Sequence, residues 1–463
     1  GVRAMVVNLT NTNPINWERD CNPNIDLPLC ESVIYELHTR DFSADDSSDI
    51  KNKGKFLGLV EEGTTVNGEG KIKSGIDHLK ELGITHLHLL PFYDYATVDE
   101  TKEYNENEYN WGYDPLNYNV PEGSYATNAF DGNIRIKELK ETVMKLHENG
   151  ISVIMDVVYN HTFSEDFCFN KAVPGYFYRI DKNGYLSNGS DCGNDTASER
   201  SMVSKYIIDS VLFWAKEYHI DGFRFDLVGL IDIDTINKIR LGLDEIRENI
   251  MLYGEGWTLN TELTKKDIIL ATQKNIDKLH GFAMFSDNIR DAIKGSVFEA
   301  DEKGFISGNV DGYEELCDSI LGLPKWSDSP EQVINYTSCH DNYTLFDKIH
   351  LCNDGITFDE AVKQNLLAAS IVFLSQGIPL IHAGEEMLRT KVDKDGKYVS
   401  DSVRSSDYVN SIKWNKLNDS SYYDVYEYYK GLIEFRKNHK VFMQTNKEDI
   451  MNSITFIETN NKK

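Results

Sequence analysis

Four short segments place ionisable side chains directly after apolar runs: Asp156-Val157-Val158-Tyr159-Asn160-His161, Asp221-Gly222-Phe223-Arg224-Phe225-Asp226, Tyr253-Gly254-Glu255-Gly256-Trp257 and Ser338-Cys339-His340-Asp341-Asn342. A buried strand rarely ends in a free carboxylate, because an unpaired charge there is costly. The two-residue period of a strand puts Arg224 and Asp226 on one face. A guanidinium beside a carboxylate lowers its pKa and keeps it ionised, as a nucleophile requires. Glu255 sits between two glycines and just before Trp257. An apolar, aromatic setting raises a carboxyl pKa, so that the group can donate a proton. One ionised carboxylate and one protonated carboxyl make the pair that retaining glycoside hydrolysis uses, with about 5–5.5 Å between them.

Each segment alone has a plainer reading. A lone aspartate at a strand end is more often a helix N-cap, and Arg224 with Asp226 also describes a structural ion pair. The weight comes from four such segments in sequence, each at the end of a strand-like run.

The elements that must position them are legible. Strand-like runs cover Val33–Leu37, Ile84–Leu90, Ile151–Val158, Gly222–Phe225, Met251–Gly254, Gly281–Phe285, Val333–Ser338 and Pro379–Ala383. Helical patterns lie between them, among them Ile136–Asn149, Ser201–Tyr218, Thr235–Asn249, Phe358–Leu374 and Tyr423–Asn438. Eight alternations predict an α/β fold, a parallel (β/α)8 TIM barrel. The four segments then fall on strands three, four, five and seven. Residues 91–132, 160–200 and 385–422 are long connections after strands two, three and eight. All leave the C-terminal end of a strand, where barrel active sites are built.

Composition agrees with a barrel that binds a neutral substrate. The 463 residues suit one large barrel with insertions and a partial second domain. Acidic residues number 75 against 48 basic ones, a formal charge of -27, which excludes the cationic surface that nucleic acids and anionic membranes need. No apolar run is long enough to span a bilayer. Seven cysteines at irregular spacing, without a CxxC pair, indicate neither a zinc site nor a disulfide framework. His86-Leu87-His88 turns two imidazoles to one strand face, as metal-dependent barrel hydrolases do. No further histidine or lysine constellation follows at the right strand ends, so core histidines are the favoured reading.

In order, the four segments resemble the signature regions of the α-amylase superfamily (glycoside hydrolase family 13). The resemblance implies Asp226 as nucleophile, Glu255 as general acid/base and Asp341 as the third carboxylate, with Arg224, His161 and His340 lining the subsite of the attacked glucose. In the loop after strand two, Tyr109-Asn110-Trp111-Gly112-Tyr113-Asp114-Pro115 is similar to the YNWGYDP signature of type I pullulanases. Glu36-Leu37-His38-Thr39-Arg40-Asp41-Phe42 and Asp401-Ser402-Val403 resemble pullulanase segments less specifically. Tyr113 is then expected to stack on the sugar ring, and Trp111, Asp114, Trp257 and Asn342 to complete the substrate-facing set. The implied activity is starch debranching at α-1,6 linkages of a branched α-glucan such as pullulan, limit dextrin, amylopectin or glycogen. An isoamylase, an α-1,4-acting or mixed amylase, and a non-catalytic glucan-binding barrel are the alternatives; non-catalytic relatives usually lose an acidic residue, and all three remain here.

The resemblance further implies residues 1–30 as the tail of a preceding module and linker, 31–438 as the catalytic barrel, and 439–463 as the start of a truncated C-terminal β-sandwich with a strand at Ser453–Glu458. No organic cofactor is called for, since retaining hydrolysis needs carboxylates and water. Calcium, taken by oxygen ligands, is compatible with the superfamily, and Asn160 stands roughly where some amylases bind it. Gly1-Val2-Arg3-Ala4-Met5 forms no signal peptide and reads as a cut or processed start, which assigns neither a cytoplasmic nor a secreted compartment. No oligomeric state is read from the sequence.

Overall fold

All eight apolar runs become strands in the computed structural model, which describes residues 4–102 and 108–457. In chain order the strands are β1 (Ile34–Leu37), β2 (His86–Leu89), β3 (Tyr93–Tyr95), β4 (Pro115–Pro121), β5 (Ser152–Val157), β6 (Gly222–Phe225), β7 (Met251–Gly254), β8 (Ala283–Phe285), β9 (Val333–Asn335) and β10 (Ile378–His382). Eight of them form a closed parallel barrel in the order β1-β2-β5-β6-β7-β8-β9-β10, and β10 pairs back on β1 with Ile34 opposite Leu380.

Period two sorts each strand into an inward and an outward face. Ile34, Ile154, Met251, Ile334, Ile378 and Leu380 pack together inside the barrel. Tyr35, Leu37, Val153 and Met155 join the larger core beneath the helices. One step nearer the C-terminal edge, the inward positions change character. Glu36 lies opposite His88, and Asp156 opposite Arg224, which itself lies opposite Tyr253. The barrel is thus filled by apolar layers below and by a layer of charge directly beneath the loops.

Helices surround the barrel. Gly132–Glu148, Ser201–Glu217, Ile233–Ile246, Phe358–Leu374 and Ser420–Asn438 fall on the five predicted patterns. Along Ser201–Glu217 the buried residues Val203, Ile207, Val211 and Trp214 recur every three to four positions and face the strands. Each such fully buried side chain contributes roughly 1.5–3 kcal/mol. The Asp131 and Asp232 side chains accept from Asn133 and Thr235 N–H, and Thr357 with Glu360 forms a capping box. No helix of the described residues is long and apolar enough to cross a membrane.

Two stretches differ from the sequence reading. The connection after β2 holds an antiparallel hairpin, β3 with β4, whose register shifts on both sides of Asp94. Those irregularities interrupt the two-residue period that identifies a strand. At the other end, Lys447–Ser453 is a helix and residues 454–457 carry no strand, so the expected strand at Ser453–Glu458 is not formed over its described residues. Asn446 accepts from the N–H groups of Glu448 and Asp449, and two acidic residues fill the first turn, which favours a helix start.

Residues 4–30 carry only short turns and are tied to the barrel's helices. Trp17 stacks on His219 at 4.0 Å, and Asp20 accepts from both His147 and His219.

Candidate active site

The centre of the C-terminal face is one guanidinium shared by three carboxylates. Arg224, buried on β6, places Nη1 2.9 and 3.0 Å from the two oxygens of Asp156 and 3.0 Å from Asp226 Oδ1. Its Nη2 lies 2.9 Å from Glu255 Oε1. Asp226 is the first residue after β6 and Glu255 the first after β7. Because Phe225 pairs with Gly254, the two acidic residues leave their strands at the same level.

Local backbone explains the fit around Glu255. A Cβ at Gly254 would come within 2.4 Å of the Phe225 carbonyl, and one at Gly256 within 2.2 Å of Met284 Sδ. Only glycine lets the strand pass that close on both sides of the glutamate. Leu227, directly after Asp226, is held at φ 39°, a left-handed conformation that costs a leucine roughly 1–3 kcal/mol. There its N–H donates to Glu255 Oε2 at 3.0 Å. Asn342, directly after Asp341, is likewise left-handed at φ 63°.

The three acidic side chains differ in setting. The Asp226 and Glu255 side chains are 12% and 11% exposed, that of Asp341 43%. Burial pushes Asp226 up to about 6 and Glu255 to about 7, against the pull of Arg224 in both cases. The expectation that Arg224 holds Asp226 below its ordinary value is therefore corrected, since loss of water outweighs the guanidinium. The lowered carboxyl is Asp156, where Arg224 and His88 together overcome burial. The raised Glu255 agrees with the expectation for an acid.

Aromatic and imidazole groups wall the site. Tyr113 lies flat on His340, ring centres 4.9 Å apart at 16°, and its hydroxyl donates to Asp156 Oδ2 at 2.7 Å. Trp111 meets His340 edge-on at 4.9 Å with Lys391 Nζ 5.0 Å from its ring centre. His161 stands between Asn160 Oδ1, 2.6 Å from Nδ1, and the Tyr113 carbonyl, 2.9 Å from Nε2. Trp257 sits against the Arg290 guanidinium at 5.9 Å. Asp114 instead accepts from the Thr97 N–H at 2.9 Å, within its own loop.

Asn160 does not fit a calcium ion. Its amide nitrogen donates to Asp226 Oδ2 at 2.7 Å, and its side-chain oxygen faces His161. Among the described residues, Asp94, Glu100 and Glu122 bring oxygens within 4.8 Å of one another on the β3–β4 hairpin, where Arg135 already pairs with Glu100.

Sequence reasoning gave no role to Glu36, His88 or Lys391, nor to Asp156 beyond its segment. Glu36 accepts from His340 N–H at 2.6 Å and from Nδ1 at 3.0 Å. His88 Nε2 lies 3.1 Å from Asp156, and Lys391 donates to the His340 carbonyl at 2.9 Å. For Glu36, His88 and Asp156 a polar side chain within a buried strand was the available signal. His88, one of the His86-Leu87-His88 pair, is buried with Asp156 as its partner.

Comparison with known proteins finds relatives over most of the chain. The family model described as the alpha amylase catalytic domain matches residues 62–183. A pullulanase of Bacillus subtilis is 41% identical over 428 residues, covering 91% of this chain and 58% of its own length. A chloroplastic pullulanase of Arabidopsis thaliana is 33% identical, covering 90% and 51%. The chain thus spans between half and three-fifths of these curated relatives. The crystal structure of a pullulanase from Paenibacillus barengoltzii, in complex with maltohexaose and α-cyclodextrin, superimposes with a TM-score of 0.93 at 45% identity, covering 98% of this chain and 70% of that one. With the barrel, the order of its acidic strand ends and this identity agreeing, the chain belongs to the type I pullulanases of the α-amylase superfamily, glycoside hydrolase family 13.

Proposed function

We propose that this chain hydrolyses α-1,6-glucosidic branch linkages with retention of configuration, and that residues 31–438 are the catalytic unit. Asp226 attacks the anomeric carbon and forms a glycosyl ester. Glu255 protonates the departing glycosidic oxygen, then takes a proton from the water that hydrolyses the ester. Asp341, the most exposed of the three, grips sugar hydroxyls as positive charge develops on the ring. Tyr113 offers an aromatic face to the pyranose. Trp111, His161, Arg224, Trp257, His340 and Asn342 surround it. Carboxylates and water suffice for these steps, so none is routed through a metal.

The observation that carries the reading is the guanidinium of Arg224 joined to Asp226 through one nitrogen and to Glu255 through the other. One guanidinium faces both carboxyls at the ends of adjacent strands, an arrangement that supports the covalent route. The pullulanase relatives support the α-1,6 linkage, and the maltohexaose bound by the Paenibacillus barengoltzii protein supports an α-glucan. Incubation with pullulan tests it. Maltotriose as product is the expected result; panose or isopanose indicates α-1,4 cleavage, and binding without product indicates a non-catalytic barrel.

A further inference from the structure

We propose that Glu36, on β1, is the positioning residue that fixes His340, and through it both Asp341 and the Tyr113 wall of the cleft. The inference rests on the proposed activity for its kinetic consequence, but its geometry stands apart from it. Glu36 is fully buried and spends both oxygens on one residue: Oε2 accepts the His340 backbone N–H at 2.6 Å, and Oε1 accepts Nδ1–H at 3.0 Å. That clamp fixes the backbone where the loop after β9 turns towards Asp341, and the tilt of the imidazole as well. The ring's other nitrogen, Nε2, lies 3.5 Å from Asp341 Oδ2. Its face carries Tyr113 and its edge Trp111. One side chain on the first strand therefore sets the orientation of groups from the loops after β2 and β9.

The charges around the pair fit a protonated ring. His340 faces Glu36 from β1 and Asp341 from its own loop, with Arg224 of β6 opposing them. Glu36 in turn faces His340, His88 of β2 and Arg224, and Tyr253 of β7 lies nearby. Burial works against the imidazolium, yet the two carboxylates hold it up to about 9. An imidazolium carries N–H on both nitrogens: Glu36 accepts the one on Nδ1, and Asp341 faces Nε2 as an opposite charge at 3.5 Å. Glutamine at position 36 keeps the shape but offers one accepting oxygen where two are needed.

The test combines a proton readout with a double-mutant cycle. Long-range proton–nitrogen spectra of the histidine rings, with His340 assigned through His340→Gln, report its charge in the intact protein. The expected result at pH 7.5 is an imidazolium in the wild type and a neutral ring in Glu36→Gln. A neutral His340 in the wild type overturns the inference without any variant at position 36. On pullulan, Glu36→Gln is expected to lose at least about 30-fold in kcat/KM, and Glu36→Asp to recover part of it. The double variant Glu36→Gln/His340→Gln is expected to fall within about 3-fold of His340→Gln alone, because glutamine at position 36 still accepts the backbone N–H of residue 340 and gives up only the bond to the ring. Fully additive losses overturn the proposal, as does a Glu36→Gln enzyme within about 3-fold of wild type. A wild type inert on pullulan whose His340 still responds to Glu36→Gln supports the Glu36 assignment while overturning the proposed activity.

Discussion

The hydroxyl of Tyr113 donates to the buried carboxylate of Asp156 at 2.7 Å, which ties the loop after β2 to the layer of charge inside the barrel. Stacking alone would make Tyr113→Phe nearly silent. The hydrogen bond changes that expectation. Losing it leaves a buried acceptor short of a donor, at roughly 1–2 kcal/mol. Tyr113→Phe is therefore expected to lower kcat/KM on pullulan by about 5- to 30-fold, and Tyr113→Ala, which also removes the ring, by considerably more. Equal losses in the two variants would show that the ring face does not serve the substrate.

Asp226→Asn is expected to abolish turnover, by about three orders of magnitude or more, while leaving the thermal melt nearly unchanged, because the covalent route closes. Glu255→Gln is expected to fail on pullulan yet to keep much of its kcat/KM on a glucosyl donor whose leaving group needs no proton, with kcat lowered because hydrolysis of the ester has lost its base. Near-wild-type cleavage by the Asp226 variant removes it as nucleophile. A kcat/KM on the activated donor that falls as far as that on pullulan removes Glu255 as acid.

Stereochemistry offers an independent check. Retention predicts that the first product released from an α-linked glucan carries an α-anomeric reducing end, seen by proton NMR before mutarotation. A β-anomer appearing first means inversion and a different use of the two carboxyls.

The pH profile follows from the two raised carboxyls. Asp226 must be ionised and Glu255 protonated, so activity rises as pH passes about 6 and falls as it passes about 7. The expected kcat/KM curve is a narrow bell whose limbs belong to the pair together. With an activated donor, Glu255→Gln is expected to lose the alkaline limb alone. A flat profile from pH 5 to 9 contradicts both assignments.

Stability has a separate titration, on the side where residues 4–30 dock. Burial works against a charged His147, yet Asp221 and Asp20 raise it to about 9 from an ordinary 6.5. A raised value means that its contribution is complete below about pH 6.5 and is lost as pH climbs through 9, on the order of 3 kcal/mol at most. Asp20 is lowered to about 2 by both histidines against burial, so its share is lost only in acid, below about pH 4. The melting temperature is expected to fall between pH 7 and 10 in the wild type and to change less in His147→Gln. An unchanged drop in that variant assigns the alkaline loss to other groups.

How much of this was legible in the sequence depends on the range of the signal. Strands buried on both faces read as continuous apolar runs, so all eight barrel strands were recognisable, and the residues just beyond their ends marked Asp226 and Glu255. The interior layer was not legible in the same way. Glu36 and Asp156 each look like an isolated polar residue within an apolar run, and His88 like one of two core histidines. Only the register that sets Glu36 opposite His88 and Asp156 opposite Arg224 joins them. The net direction of the Asp226 shift was missed because one neighbour, Arg224, is visible in sequence whereas the loss of water is not. The helix Lys447–Ser453 was missed because its capping signal at Asn446 is short and local, beside an apolar stretch that resembles a strand.

The pairing of β1 with β10 bears on how the site comes into being. Ile34 and Leu380 are neighbours in the sheet although almost the whole barrel separates them along the chain. Contacts of such separation form late, since the loop they close is long. During synthesis, Asp226 and Glu255 leave the ribosome well before the strand that shuts the cylinder. Until β10 docks, the edge of β1 is open, and Glu36 has no closed wall in which to hold His340 and Asp341. The nascent chain would therefore carry Asp226 and Glu255 before the site is assembled, and the proposed activity would begin only with closure of the last seam.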